Sequence, residues 1–286
     1  MAIIFALIAF FGWGLGDIFG GLVSRKIGGI SSAFWSYVLC VIFASFYIPF
    51  AGNPLEHMNT LALVVLIILT PIGLVPLITL YEGIKRGNAS LVGTIGSTFA
   101  ALVVILSIIF LGDKISYTQI IAIVIIFVGL ILASLDLKTF NIKQLVTDKG
   151  VPFAIASMIF WAIYFTFVRI PIRQIGWFWP AYLSWCGFPL VYIFMRAKKM
   201  KLTIPNDSKT IMYTVIGAFV SCAALFGFNY AVSKGQTAIV APISGAYPVL
   251  FASLAYFVFK DRLNKQQVTG IIFTLVGIVL LSVFSL

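Results

Sequence analysis

The chain has 286 residues, of which 62% are hydrophobic and only 9% are charged, against about 25% charged in an ordinary soluble domain. So few charged side chains cannot cover a soluble enzyme, and a disordered chain would need the opposite composition. The net charge of +11 is typical of basic loops on the cytoplasmic side of a membrane. No basic segment is interleaved with stacking aromatics, so we expect a lipid bilayer as partner and no nucleic acid.

The apolar runs are long enough to cross a bilayer as helices. A spanning helix needs about 20 apolar residues, whereas a strand of a membrane barrel needs about 10 in alternation. Residues 61–80 and 118–135 are long runs with apolar residues on every face, and they do not alternate. The pattern therefore predicts an all-α multi-pass protein of the cell membrane. Its ten transmembrane helices are predicted at 2–23, 30–50, 60–80, 89–111, 118–135, 151–170, 177–195, 210–232, 238–259 and 266–285.

The second half of the chain repeats the first. An offset of 148 positions pairs Trp13 with Trp161 and Arg25 with Arg173. A matching acidic-basic pair near the end of each half has the same offset of 148. Between these two regions an offset of 149 fits better, so the repeat is predicted to contain a single-residue slip. The predicted organisation is a five-helix repeat at 1–135, a loop at 136–150 and a second five-helix repeat at 151–286.

An odd number of helices in each repeat has a geometric consequence. The second repeat must enter the membrane from the side opposite to the first, so the two halves are predicted to be inverted. Inverted repeats are typical of secondary transporters, which hold their substrate near the bilayer midplane. Of the 19 Lys and Arg residues, 15 fall in the odd-numbered loops and 4 in the even-numbered loops, if Arg169 at the end of the sixth helix is counted with the loop that follows it. This bias predicts cytoplasmic odd loops and both termini outside.

Two sequence patterns resemble a known family. The first helix contains Phe-Gly-Trp-Gly at 11–14, and the fourth helix of each repeat, at 88–114 and 236–262, runs from small residues through an aromatic-rich stretch to an acidic-basic pair. The chain thus resembles the EamA family of the drug/metabolite transporter superfamily over nearly its whole length. The resemblance implies transport of amino acids, sugars, nucleotide precursors or drugs. Asp113 and Asp261 replace the usual Glu, and the family is often drawn with cytoplasmic termini, opposite to the charge count.

Asp17 is the principal candidate for substrate binding or coupling. It lies about a turn past the middle of the first helix, among glycines at 12, 14, 16, 20 and 21. A carboxylate at that depth costs about 2.5–3.5 kcal/mol, so it is expected to face the bundle interior or a water-filled cavity. There it can bind a proton or a cationic substrate. The alternatives are a shifted helix that leaves Asp17 near the interface, or an ion pair with Arg169 of the sixth helix.

The other candidates are aromatic or polar side chains within the helices. Trp13 and Trp161 can wall an apolar substrate or simply pack. The polar candidates on the fourth, eighth and ninth helices are Thr94, Thr98, Asn229, Tyr230, Ser244 and Tyr247. Small polar side chains also serve helix packing, so both roles stay open for each of them.

The expected function is export of small metabolites, such as amino acids or drug-like compounds, by alternating access. Proton coupling is an open possibility. A sugar or nucleoside importer is the alternative within transport, and an intramembrane lipid-handling enzyme is the alternative outside it. The single histidine lies in a loop, and enzymatic and metal-binding motifs are missing, so no catalytic residue, metal or cofactor is predicted. The sequence predicts neither the substrate nor the oligomeric state.

Overall fold

The structure is a computed structural model that describes residues 1–135, 137, 140–259 and 263–285, without the side chains of residues 81, 85, 89, 90 and 255–259. All regular structure in this part of the chain is helical. The helices are α1 (Ala2–Ile27), α2 (Gly29–Ser45), α3 (Thr60–Arg86), α4 (Ala89–Ser97), α5 (Phe99–Leu111), α6 (Tyr117–Ser134), α7 (Gln144–Thr147), α8 (Val151–Phe167), α9 (Arg169–Ile175), α10 (Phe178–Trp185), α11 (Phe188–Ala197), α12 (Ser208–Lys234), α13 (Thr237–Gly245), α14 (Tyr247–Phe259) and α15 (Lys265–Val283).

The described residues contain nine helical segments that are long and apolar enough to cross a membrane, or ten if one bent pair counts as a span. The bent pair is α2 with the short 3-10 turns Ile48–Phe50 and Pro54–Glu56, and its axis turns by 49°. The predicted second helix, 30–50, therefore ends early at Ser45. Pro49 lies within the first of these turns, and Pro54 begins the second. Proline has no backbone N–H, so it cannot donate the hydrogen bond that would continue α2.

Several predicted spans consist of two helices joined at a break. The fourth breaks between α4 and α5 at Thr98, and the ninth breaks between α13 and α14 at Ala246. Thr98 and Ala246 have φ of −75° and −76° and ψ of 2° and 1°, and each span continues across its break without reversing. A break frees carbonyl groups, which membrane proteins tolerate where the backbone is buried or lines a cavity.

The helix limits repeat at a constant offset. The limits of α3, α4 and α5 recur 148 positions later in α12, α13 and α14. A capping box starts α6 at Ser116 and Gln119, and another starts α15 at Asn264 and Gln267. The same offset of 148 therefore holds through the region where the sequence predicted a slip to 149. Helix ends are set by caps and turns, whereas the predicted slip depended on matches between residues inside the helices.

The core lies between the two halves of the chain. α1 packs along α12, α3 packs along α8, and α6 packs along α15. Each of these pairs joins one helix from each half, and the first two pairs exchange under the repeat offset. Glycine permits the closest approaches. A Cβ at Gly12 would lie 2.7 Å from Cβ of Ala224, and a Cβ at Gly129 would lie 2.5 Å from the backbone nitrogen of Thr274.

Candidate functional site

A cavity of about 240 Å3 lies at the junction of the two halves. A smaller space of about 160 Å3 adjoins it and shares six of its lining residues. The polar and aromatic lining of the larger cavity comes from α1, α2, α5, α8, α12 and α14. Those side chains are Trp13, Asp17, Ser32, Ser36, Tyr37, Phe99, Trp161, Phe165, Tyr213, Thr214, Ser221 and Tyr247. We call this space the central cavity.

Asp17 lines the central cavity and is exposed within it, although it belongs to the interior of a long helix. The glycine stripe on α1 explains this placement. Gly12 and Gly16 bring α12 against one face of α1, since a Cβ at Gly16 would lie 2.5 Å from the hydroxyl of Ser221. A Cβ at Gly20 would meet nothing within 4 Å. The stripe therefore packs tightly at its first part and opens onto the cavity next to Asp17.

Asp17 is the only charged residue among the described side chains that line the central cavity. A cation or a proton is therefore complemented there, whereas an anion would meet a carboxylate and no basic partner. Hydroxyl groups of Ser36 and Ser221 lie in the same lining. They supply hydrogen-bond donors and acceptors without charge.

Aromatic rings form the apolar part of the cavity lining, in contrast to Asp17 and the serine hydroxyls. Trp13 contacts Phe165 edge-on at 5.4 Å between ring centroids and contacts Tyr247 at 5.8 Å. Phe99 stacks on Phe165 at 5.2 Å and lies 5.5 Å from Trp161. The rings come from both halves and fix one another by packing, so they present a continuous apolar surface to the cavity.

Residues that are equivalent under the repeat offset line the cavity from both halves of the chain. Trp13 and Trp161 are equivalent, and both line the central cavity. The equivalent of Asp17 is Phe165, which also lines the cavity. The two halves therefore contribute matching indoles, but a carboxylate on one side and a phenyl ring on the other.

Arg169 does not contact Asp17, so the ion pair considered from the sequence is wrong. Its guanidinium pairs with one carboxylate oxygen of Asp113. The other oxygen accepts a hydrogen bond of 2.9 Å from the backbone N–H of Ala238, in the first turn of α13. Asp113 is 5% exposed. We call Asp113, Arg169 and the Ala238 N–H the Asp113 clamp.

Local backbone geometry directs Asp113 into the clamp. Gly112 ends α5 in the left-handed region, with φ of 69°, which glycine adopts without steric cost. The chain then turns so that Asp113 faces α9 and α13. The sequence singled out Asp113 as half of an acidic-basic pair but gave it no partner. One signal for its partner was available in the sequence. The fourth and sixth predicted spans are both followed by even-numbered loops, so Asp113 and Arg169 would lie at the same side of the membrane.

The other predicted contacts lie outside the central cavity. Thr94 is buried in α4, and the hydroxyl of Thr98 donates to the carbonyl of Ile95 at 2.7 Å. The hydroxyl of Ser244 donates to the carbonyl of Val240 at 2.8 Å. The hydroxyl of Thr98 also donates to Sδ of Met158 in α8 at 3.2 Å. Thr98 and Ser244 thus bond within their own helices, which is the packing role that the sequence left open.

Asn229 and Tyr230 belong to a second aromatic region near the end of α12. The side-chain nitrogen of Asn229 donates to the carbonyl of Trp177 at 3.0 Å. The ring of Tyr230 lies 5.9 Å from the Trp177 ring, and the Lys234 ammonium lies 5.6 Å from the Tyr230 ring. These two residues anchor the loop before α10 to α12.

Sequence reasoning missed several residues of the lining. Ser36 and Tyr37 of α2 and Ser221 of α12 interrupt apolar runs only once or twice, which is too weak a signal against ordinary helix packing. Phe165 had a better signal, because it occupies the position equivalent to Asp17. Among the described residues, no group of three His, Cys, Asp or Glu side chains could hold a metal ion.

The central cavity and the Asp113 clamp lie toward opposite ends of the bundle. Val23, Ser32 and Tyr213 place the cavity toward the end where α1 finishes and α2 and α12 begin. The clamp lies where α5 and α8 end and α13 begins. A Cβ at Gly235, just before α13, would lie 2.7 Å from Cβ of Ala2, so this end also holds the start of α1.

Comparison with known proteins supports the two-repeat organisation. A family model described as the EamA-like transporter family matches residues 1–135 and 148–283. An uncharacterised protein of Methanocaldococcus jannaschii is 26% identical over 136 residues, which make up 48% of this chain and 98% of that protein. The aligned length is close to that of one matched half.

A solved crystal structure has the same fold. It matches with a TM-score of 0.83 at 13% sequence identity and covers 99% of this chain and 97% of its own. At that identity the likeness shows the fold alone. Together with the apolar helices, the family match confirms the predicted multi-pass membrane protein and the resemblance carried by residues 11–14.

Proposed function

Because the chain belongs to the EamA-like transporter family, we propose that it is a secondary active transporter that exports small metabolites, such as amino acids or drug-like compounds, by alternating access. The observation that carries the proposal is the central cavity, to which both halves contribute side chains and which holds one charged group, Asp17, among the described side chains. A site between two repeats is where a rocking transporter holds its substrate.

The two ends of the bundle support an alternating mechanism. The central cavity lies toward the odd-numbered loops, which the charge count assigns to the cytoplasm, so substrate enters from inside. The Asp113 clamp holds α5, α9 and α13 together at the opposite end. Release to the outside requires the clamp to break and the cytoplasmic end to close. The clamp then acts as the outer gate.

Asp17 provides the coupling site in this proposal. A single carboxylate in a cavity binds either a proton or a cationic group of the substrate, since both neutralise the same charge. Mutually exclusive binding converts an inward proton gradient into outward substrate movement. Asp17→Asn keeps the shape of the side chain but fixes it in a neutral state. We therefore expect the variant to fold and to lose proton-coupled accumulation in proteoliposomes.

The coupling experiment uses a substrate found by thermal-stabilisation screening of amino acids, sugars and nucleosides, because a ligand that binds only the folded state raises its melting temperature. Glu56→Gln is the matched control, since it removes one carboxylate from an exposed turn outside the cavity. Coupling at the wild-type level in Asp17→Asn would exclude Asp17 as the proton site. A sugar or nucleoside hit would favour the importer.

Alternating access is tested separately with a cysteine in the cavity. Ser36→Cys lines the central cavity and is placed in a variant whose three cysteines are replaced by serine. Impermeant maleimide should label it from the odd-loop side, and addition of Asp113→Asn should raise labelling from the even-loop side. Labelling from one side only, whatever the state of the clamp and the gradient, contradicts the mechanism.

The orientation follows from the loop charges and has its own test. We expect impermeant maleimide to label Asn53→Cys in intact cells and to leave Lys199→Cys unlabelled. The reverse pattern would place the odd-numbered loops outside and turn the direction of the proposed cycle around.

A further inference from the structure

A second cavity, of about 520 Å3, lies at the clamp end of the bundle, away from the central cavity. Its polar rim contains Arg173, Lys234 and Gln236. Its partly exposed apolar wall contains Ile3 of α1 and Ile239 of α13. We call it the basic pocket. The proposed transport mechanism uses none of these side chains.

Basic side chains gather around this pocket against the overall charge bias. The even-numbered loops hold only 4 of the 19 Lys and Arg residues, namely Lys114, Arg169, Arg173 and Lys234. Two of them line the pocket. The backbone N–H of Lys114 donates to the side-chain oxygen of Gln236 at 3.0 Å, and Arg169 lies in the neighbouring clamp. These four residues thus lie near the start of α13.

The cations of the basic pocket have no carboxylate partner among the described residues. The ion pairs among the described residues join Arg86 to Glu82 and Arg169 to Asp113, and neither arginine lines the pocket. The guanidinium of Arg173 donates to the carbonyl of Gly235 at 3.4 Å, and the Lys234 ammonium faces the ring of Tyr230. The Asp113 carboxylate in the neighbouring clamp is already engaged by Arg169 and α13. Both cations are exposed and retain donors for an anion.

Gln236 adds a neutral donor to the same place. It is the N-cap of α13 and makes no capping hydrogen bond with its side chain, whose oxygen accepts instead from the backbone N–H of Lys114. The N-terminus of α13 already binds the Asp113 carboxylate through the Ala238 N–H. The pocket therefore presents two side-chain cations and one amide nitrogen beside an apolar wall.

We propose that the basic pocket binds the phosphate of an anionic phospholipid. The pocket lies at the ends of membrane-spanning helices, where lipid headgroups lie. Its apolar wall is formed by Ile3 of α1 and Ile239 of α13, which lie in the first turns of their helices and are partly exposed. A phosphate on the rim and an acyl chain along the wall satisfy both surfaces together. A water-soluble phosphate would use only the rim.

Native mass spectrometry of the purified protein tests the proposal with phosphatidylglycerol and phosphatidylcholine of matched acyl chains. We expect wild type to retain one phosphatidylglycerol in preference to phosphatidylcholine. Each basic side chain near a lipid surface contributes about fivefold in affinity, so Arg173→Gln/Lys234→Gln should bind phosphatidylglycerol roughly thirtyfold more weakly. Lys234→Gln alone should show an intermediate loss, and it is a second variant in case the double variant folds poorly.

The matched control is Arg196→Gln/Lys198→Gln, which makes the same two changes at exposed positions on the opposite membrane side. It should retain the tightly bound phosphatidylglycerol. Equal retention of the two lipids by wild type, or equal losses in the two double variants, would overturn the proposal. Glycerol phosphate is added as a further probe. If it displaces the lipid or raises the melting temperature as much as phosphatidylglycerol does, the pocket binds soluble phosphate and the lipid assignment is wrong.

Discussion

The Asp113 clamp makes a quantitative prediction about stability. The side chains of Asp113 and Arg169 are 2% and 15% exposed, so their ion pair is shielded from water. Asp113→Asn leaves the guanidinium buried without a counter-charge and turns one hydrogen-bond acceptor into a donor. Removal of one partner from a buried pair costs about 3–5 kcal/mol. At roughly 2 °C for each kcal/mol in a chain of this size, the melting temperature should fall by roughly 6–10 °C.

The chain contains a matched control for this prediction. Glu82 and Arg86 form an i,i+4 ion pair at 3.0 Å, but their side chains are 30% and 54% exposed. Exposed pairs contribute about 0.2–1 kcal/mol, so Glu82→Gln should lower the melting temperature by no more than about 2 °C. Differential scanning fluorimetry of both variants in the same detergent measures the contrast.

A double variant separates a lost ion pair from a general packing defect. Asp113→Asn/Arg169→Gln leaves no uncompensated charge, and the Asn carbonyl can still accept from Ala238. It should therefore be more stable than Asp113→Asn alone, with a coupling of about 2 kcal/mol. Additive losses in the double variant, or an Asp113→Asn variant as stable as Glu82→Gln, would refute the assignment of the clamp.

Two further predictions concern helix ends and helix packing. The pKa of Asp207 is lowered because the hydroxyl and backbone N–H of Thr210 donate to its carboxylate. The resulting stabilisation is complete above the unfolded pKa of about 4 and is lost as pH falls through the lower folded pKa. Thermal melts of wild type and Asp207→Ala should therefore converge in acid. Gly129→Ala should destabilise by about 1–3 kcal/mol, because its Cβ would lie 2.5 Å from Thr274. Gly93→Ala, whose Cβ would meet nothing within 4 Å, should stabilise by about 0.5–1 kcal/mol, and equal effects at the two glycines would contradict the packing.

The sequence was informative about the candidate site where a residue was costly or repeated. Asp17 was singled out because an intramembrane carboxylate is rare and expensive, and it lines the central cavity. Trp13 and Trp161 were found because they recur at the repeat offset, and they line the same cavity. Thr98 and Ser244 lacked such a distinction. Their hydroxyls could satisfy their own helix or a ligand equally well, and in the structure they bond to their own helix.

The sequence by itself determined the class of protein, the approximate helices and the repeat, and it left the partners of each side chain undecided. In lipid a helix satisfies its backbone internally, so apolar length and local caps suffice to define each span. Contacts between helices depend instead on which small residues face one another. Gly12 and Gly16 bring α12 onto α1, and the turn at Gly112 directs Asp113 to Arg169, 56 residues further along the chain. Such pairings leave no periodic trace in the sequence, because they depend on the arrangement of whole helices in three dimensions.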